Sequence, residues 1–100
     1  MSKPINNLVT VASAGTAVQF TTADTPLKSI IFHATKANTD NMFVGASDVD
    51  STNTLPLEPG DQLEIAFQSG MEQDTPGDLK DWWVDAAVSG ETVTYLAVAL

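Results

Sequence analysis

The chain has no cysteine, no arginine, a single histidine and no apolar run approaching twenty residues. Each absence removes a class of protein. Without cysteine there is no disulfide framework and no thiolate metal site, so packing or association between copies must hold the fold. The same absence fits synthesis in a reducing cytosol. With His33 alone, a structural zinc site within one chain is not available. A membrane-spanning helix needs about 20 consecutive apolar residues, and the opening Met1–Asn7 lacks the apolar core of a signal peptide. The expectation is a soluble protein made in the cytosol.

Positive charge is scarce as well. Four lysines (Lys3, Lys28, Lys36, Lys80) stand against thirteen acidic residues, for a net charge of −9. Affinity for nucleic acid rests on neutralising phosphates, and anionic bilayers attract basic segments, so neither is an expected partner. One hundred residues, 43% of them hydrophobic, suffice for one domain with a single two-layer core.

What the chain does have is period-2 alternation broken by turns. In Leu55–Phe67 the pair Pro59-Gly60 suits the centre of a type II turn, Pro presetting φ and Gly accepting the positive φ that follows. Beyond it, Leu63, Ile65 and Phe67 share one face, and Gln62, Glu64 and Ala66 the other, as in a half-buried strand. Leu8–Ala12 and Ala17–Thr22 read as a hairpin around Gly15, and a second hairpin turn is expected at Ser89-Gly90. The segments Gly15-x-x-Val-x-Phe20 and Gly90-x-x-Val-x-Tyr95 share a pattern, taken as recurring hairpin chemistry. In Leu27–Ala34, Ile30, Phe32 and Ala34 lie on one side and Leu27, Ile31 and His33 on the other, which suggests a central strand with cover on its outer face. Residues 68–78 form the longest apparent loop, and loops of that length are often functional or mobile. Seven or eight short strands, with turn signals about every 8–12 residues and no helical stretch, predict an all-β fold. The expected form is a single-domain antiparallel β-sandwich, jelly-roll-like, over residues 8–100; an up-and-down barrel is the alternative. Residues 1–7 read as an N-terminal arm, either frayed or ordered against a partner.

No catalytic pattern stands out, and the chain reads as a non-enzyme without a cofactor. Asp48-x-Asp50-x-x-Asn53 resembles the start of a calcium loop, but the twelfth position is Pro59 rather than Glu, which favours a solvated loop. His33 sits in an apolar strand with no nucleophile elbow anywhere in the chain. In Asp81-Trp82-Trp83-Val84-Asp85, parity places Trp82 with Val84 in the core and Trp83 outside between two carboxylates. An outward Trp is an interface anchor, a residue covered by a neighbouring loop, or a sugar-stacking platform. The close, Tyr95–Leu100, is apolar at consecutive positions, so it must be paired in the sheet and covered on both faces by the domain or by a second copy.

Five segments, taken in order, resemble small virion proteins of tailed bacteriophages. They are Ser13-Ala-Gly-Thr-Ala-Val-Gln-Phe20, Asn41-Met-Phe-Val-Gly45, Leu55-Pro-Leu-Glu-Pro-Gly-Asp-Gln-Leu-Glu-Ile65, Asp78-Leu-Lys-Asp-Trp-Trp-Val-Asp-Ala86 and Val93-Thr-Tyr-Leu96. The resemblance spans about residues 8 to 98 and rests on the order of the motifs, since each alone is generic β-turn chemistry. It implies a β-sandwich subunit that decorates the exterior of a capsid as a cement protein, with the major capsid protein as partner and a homo-oligomer, trimer or dimer, as the working form. The alternative it allows is a receptor- or carbohydrate-binding module of a head fibre or tail. An acidic surface suits the capsid exterior, because the packaged DNA lies on the other side of the shell. Under this resemblance the capsid contact is expected at the arm (Lys3, Pro4, Ile5) and one sheet edge, and the intersubunit contact near Trp83 or along Leu96, Val98 and Leu100.

Overall fold

Residues 3–67 and 77–100 are described by a computed structural model. Nine strands and one 3-10 turn account for the regular structure among them: β1 (Lys3–Thr10), β2 (Val18–Gln19), β3 (Pro26–Ala34), β4 (Met42–Gly45), β5 (Pro56–Leu57), β6 (Gln62–Ala66), β7 (Gly77–Asp78), the turn Leu79–Asp81, β8 (Trp83–Ala86) and β9 (Thr92–Ala99). Sheet I has the order β1-β9-β3-β6, with β7 also bonded to β3; sheet II has the order β2-β8-β4-β5. Every pairing is antiparallel.

The pairing is nested. β1 joins β9, β2 joins β8, β3 joins β6 and β4 joins β5, while β3–β9 and β4–β8 complete the two sheets. The chain is thus a long antiparallel hairpin rolled on itself, the jelly-roll arrangement. Between the sheets lies a core in which Phe32, Leu27, Ile30, Met42, Leu79, Val11, Val84 and Val93 are fully buried. Its aromatic centre is Phe32, with ring centroids 5.0 Å from Phe20 and 5.3 Å from Trp82; Tyr95 meets Phe20 edge-on at 5.8 Å. Offset and edge-on contacts are the arrangements that aromatic quadrupoles favour.

The Pro59-Gly60 turn forms as its residues require: Gly60 has φ +92°, and the Asp61 N–H donates to the Glu58 carbonyl at 2.8 Å. From it β6 sends Leu63 and Ile65, followed by Phe67, against the core.

Four expectations are corrected. Lys3–Asn7 is no arm, because each of these residues pairs in register with β9, from Lys3 opposite Ala99 to Asn7 opposite Tyr95. Neither expected hairpin exists: β1 and β2 lie in different sheets, as do β8 and β9. The Gly15 and Gly90 segments are the crossings between sheets, and they bond to each other, Val11 N–H to the Glu91 carbonyl at 3.0 Å and Gly90 N–H to the Val11 carbonyl at 2.8 Å. The shared Gly-x-x-Val-x-aromatic pattern therefore marks two crossings that each deliver an aromatic ring, Phe20 and Tyr95, into one contact.

Leu27 is buried rather than outward. The β3–β9 register slips between Leu27 and Ser29, leaving Lys28 as the extra residue of a bulge. One inserted residue reverses the facing of all that precedes it, and simple alternation carries no sign of it. The expected long loop falls mainly on residues 68–76, outside the described residues; Gly77 and Asp78 belong to β7, and Leu79–Asp81 is a 3-10 turn.

Candidate interaction surface

The two outer faces of the sandwich differ. On sheet II, Phe43 points away from the core yet is only 5% exposed, and so is Val49 of the following loop. A Cβ placed on Gly45 would lie 3.1 Å from a methyl of Val49, so this loop packs directly over the β4 strand. The loop is held by its own polar groups. Thr54 Oγ1 donates to the Val44 carbonyl, Asn53 Nδ2 to the Asp48 carbonyl, and Thr52 donates to Asp50 Oδ1 from both its hydroxyl and its N–H. The bond from the Thr52 hydroxyl, reinforced by its N–H, holds the Asp50 carboxyl below the usual range. Asp50 thus accepts local donors, and among the described residues no three His, Cys, Asp or Glu side chains gather as metal ligands would. Over β4, sheet II is covered by the chain itself.

Trp83 stands at the start of β8 on this covered sheet, opposite Gln19 on β2 and Gly45 on β4, and it is half-buried. The carboxylate expected beside it in solvent is buried instead. Asp85 is 2% exposed, and its Oδ1 accepts from the Gly15 N–H at 2.9 Å and from its neighbour Ala86 N–H at 2.8 Å. It ties the first crossing loop to sheet II. Trp82 faces the core as expected, against Phe32 and, edge-on at 6.2 Å, Phe67.

Sheet I is different. Its central strand β9 is paired on both sides, with Tyr95, Ala97 and Ala99 buried inward. Outward, Leu96 is 54% exposed and Val98 36%; Leu100, continuing the same face, is 50% exposed, and Leu8 on β1 is 50%. Of the two faces expected to be covered, by the domain or by a second copy, the domain itself covers one. Register defines the open face. One row runs Pro4, Val98, Ser29, Ala66; the next runs Asn6, Leu96, Ile31, Glu64; a third runs Leu8, Thr94, His33, Gln62. The last two rows border a shallow concavity of about 590 Å³. In those three rows the ionisable side chains are Glu64, on the edge strand β6, and His33. The exposed Lys28 of the bulge borders the first row, beside Ser29.

The β1 edge of the same sheet is blunted. Val11 bonds toward the β9 side, so by antiparallel alternation the even-numbered residues of β1 turn their backbone groups outward. Pro4 has no N–H to offer there, and the Leu8 N–H is taken by Asn7 Oδ1 at 2.8 Å. Proline and occupied donors are standard protection against strand addition.

Of the residues singled out in the sequence, Pro4, Leu96, Val98 and Leu100 come together on the open face. Ile5 is half-buried against the core from the opposite side of β1, Lys3 is exposed with the same parity, and Trp83 is on the other sheet. Ile31 and His33, placed opposite Ile30 and Phe32 by the sequence, join the face, and so does Leu8 of β1, which was not singled out. The signal for Ile31 and His33 was the outward parity of β3, but the cross-strand neighbours that make it a surface are visible only in the register.

No helix among the described residues is long and apolar enough to cross a membrane. Compared with known proteins, the chain matches no family model, no curated protein and no solved structure.

Proposed function

We propose that the protein is a structural virion subunit that binds the outside of a bacteriophage head as a decoration protein and stabilises the shell, with the major capsid protein as its partner. The observation that carries this reading is the open face of sheet I, where Leu8, Leu96, Val98 and Leu100 stand exposed together. Exposed apolar residues gathered on one face of a small domain mark contact sites. A jelly roll alone carries no function; the class of assembly comes from the resemblance of the ordered motifs to those of small phage virion proteins. In this reading the chain acts by surface complementarity and needs neither cofactor nor catalytic group.

Co-sedimentation with expanded, undecorated phage heads tests the proposal. The expected result is saturable binding at a fixed number of copies per capsomer, and shells that withstand heating better once decorated. A folded protein that leaves the shells bare overturns it. The reading would then pass to the receptor- or carbohydrate-binding module, for which the half-buried Trp83 is the aromatic to test, since the aromatic ring on β9, Tyr95, points inward.

A further inference from the structure

We infer that the free edge of β6 is a strand-addition site for an extended basic segment of a partner protein, which joins sheet I as its next strand. The site is separate from the open face and stands whether or not a phage shell is the host.

The two edges of sheet I are guarded differently. At β1, Pro4 offers no N–H and the Leu8 N–H is occupied. At β6, the Phe67 N–H donates to the Lys28 carbonyl and the Asp61 carbonyl accepts from the Ala34 N–H, so the odd-numbered residues turn their backbone groups toward β3. By antiparallel alternation Gln62, Glu64 and Ala66 turn theirs outward. Among the described residues no hydrogen bond engages these N–H and C=O groups, and the strand carries neither proline nor bulge. Such a row is the template that an extended peptide completes.

Side chains define the segment that fits. Leu63 and Ile65 pack against the core yet stay half-buried, because sheet I ends at β6. An added strand sets alternate apolar residues beside them. Its other residues fall on the outer face, next to the exposed Gln62, Glu64 and Ala66. There the charge is negative, since residues 56–67 hold Glu58, Asp61 and Glu64 and no basic residue. Of the lysines, Lys28 is on β3, one strand in from the edge, and Lys36 follows β3 with its stem against Gly60. Opposite charges on neighbouring strands stabilise the pairing, so the residue facing Glu64 is a lysine or an arginine.

The same carboxylate turns away a second copy. A β6–β6 pairing that uses all three outward residues sets Gln62 against Ala66 and Glu64 against its own copy, with Cβ atoms about 5 Å apart, where like charges destabilise. The net charge of −9 adds to the repulsion. The β1 edge is thus closed by its backbone to any strand, whereas the β6 edge is closed by charge alone, and only to acidic ones.

Amide hydrogen exchange of the full chain, followed residue by residue by NMR as a capped heptapeptide alternating lysine and valine is added, tests the site. The expected result is saturable binding that slows exchange at Gln62, Glu64 and Ala66 at least tenfold, with Asn6 on β1 unchanged. The same peptide N-methylated along its backbone keeps its charge and side chains and should not bind. Glu64→Lys, at an exposed position, should keep the circular dichroism spectrum, weaken the lysine peptide at least tenfold and admit a peptide alternating glutamate and valine. No binding, binding that leaves the three amides unslowed, equal binding of the N-methylated peptide, or Glu64→Lys without effect would each overturn the inference. Slowing at these amides that grows with the protein's own concentration, without peptide, would assign the edge to a second copy and overturn it too. Because no phage head enters this experiment, its failure is separate from a failure to bind the shell.

Discussion

Asp85 shows how a residue that reads as surface charge becomes part of the frame. Its carboxylate accepts from two backbone N–H groups, one of them across seventy residues of chain at Gly15. Asp85→Ala removes the acceptor of the Gly15 and Ala86 N–H groups, at a cost of about 1.5 kcal/mol. For a domain of this size that lowers Tm by about 10 °C. Asp85→Asn keeps the acceptor oxygen and should recover most of the loss in thermal unfolding. Tyr95, the single tyrosine, has its phenol pushed above its usual 10.0 by burial. The unfolded chain therefore releases this proton first. The contribution of Tyr95 to stability is intact below about pH 10 and is lost as pH rises through the folded-state value. Spectrophotometric titration should find the phenolate late in the folded protein, and Tyr95→Phe should flatten the alkaline fall in stability.

At the scale of elements, two glycines are needed for different reasons. Gly60 carries the positive φ of the turn that launches β6, so Gly60→Ala costs about 1–2 kcal/mol in backbone strain. At Gly77 on β7, a Cβ would stand inside the ring of Phe67. Gly77→Ala therefore overpacks, with a cost of about 1–3 kcal/mol. Trimming the ring in a Phe67→Leu background should relieve the second substitution and leave the first unrelieved, as urea unfolding midpoints of the four variants would show. The contrast separates a requirement on the backbone from a requirement on space. Pro59-Gly60 announced itself in the sequence because its turn is made by adjacent residues. Gly77 did not, because its constraint comes from a ring on a neighbouring stretch of chain.

For the whole molecule, the distribution of charge matters more than its total. Most acidic residues fall in the turns and loops or, like Asp85, on sheet II, and one ion pair among the described residues, Lys80 with Asp24, links the 3-10 turn to the loop before β3. The Lys80 ammonium lowers the Asp24 carboxyl by hydrogen bonding and by its charge. Both partners are in solvent, so the pair pins a loop more than it stabilises the fold. Sheet I is left with an outer face on which Leu8, Leu96, Val98 and Leu100 stand exposed.

Fold class, the turn at Pro59-Gly60, the inward facing of Ile30, Phe32, Leu63, Ile65 and Trp82, and the apolar outward residues Leu96, Val98 and Leu100 were all legible in the chain itself, because strand parity and turn chemistry are set by neighbours one to four residues away. Local pattern could not tell a hairpin from a crossing, since Gly15 and Gly90 permit both. The choice depends on which distant strand offers a free edge, and here β9 takes β1 on one side and β3 on the other. The bulge at Lys28, the burial of Asp85 and the meeting of Leu8 with Leu96 and Val98 on one open face likewise belong to the tertiary structure, because each is a relation between residues far apart in sequence that only the rolled topology brings together.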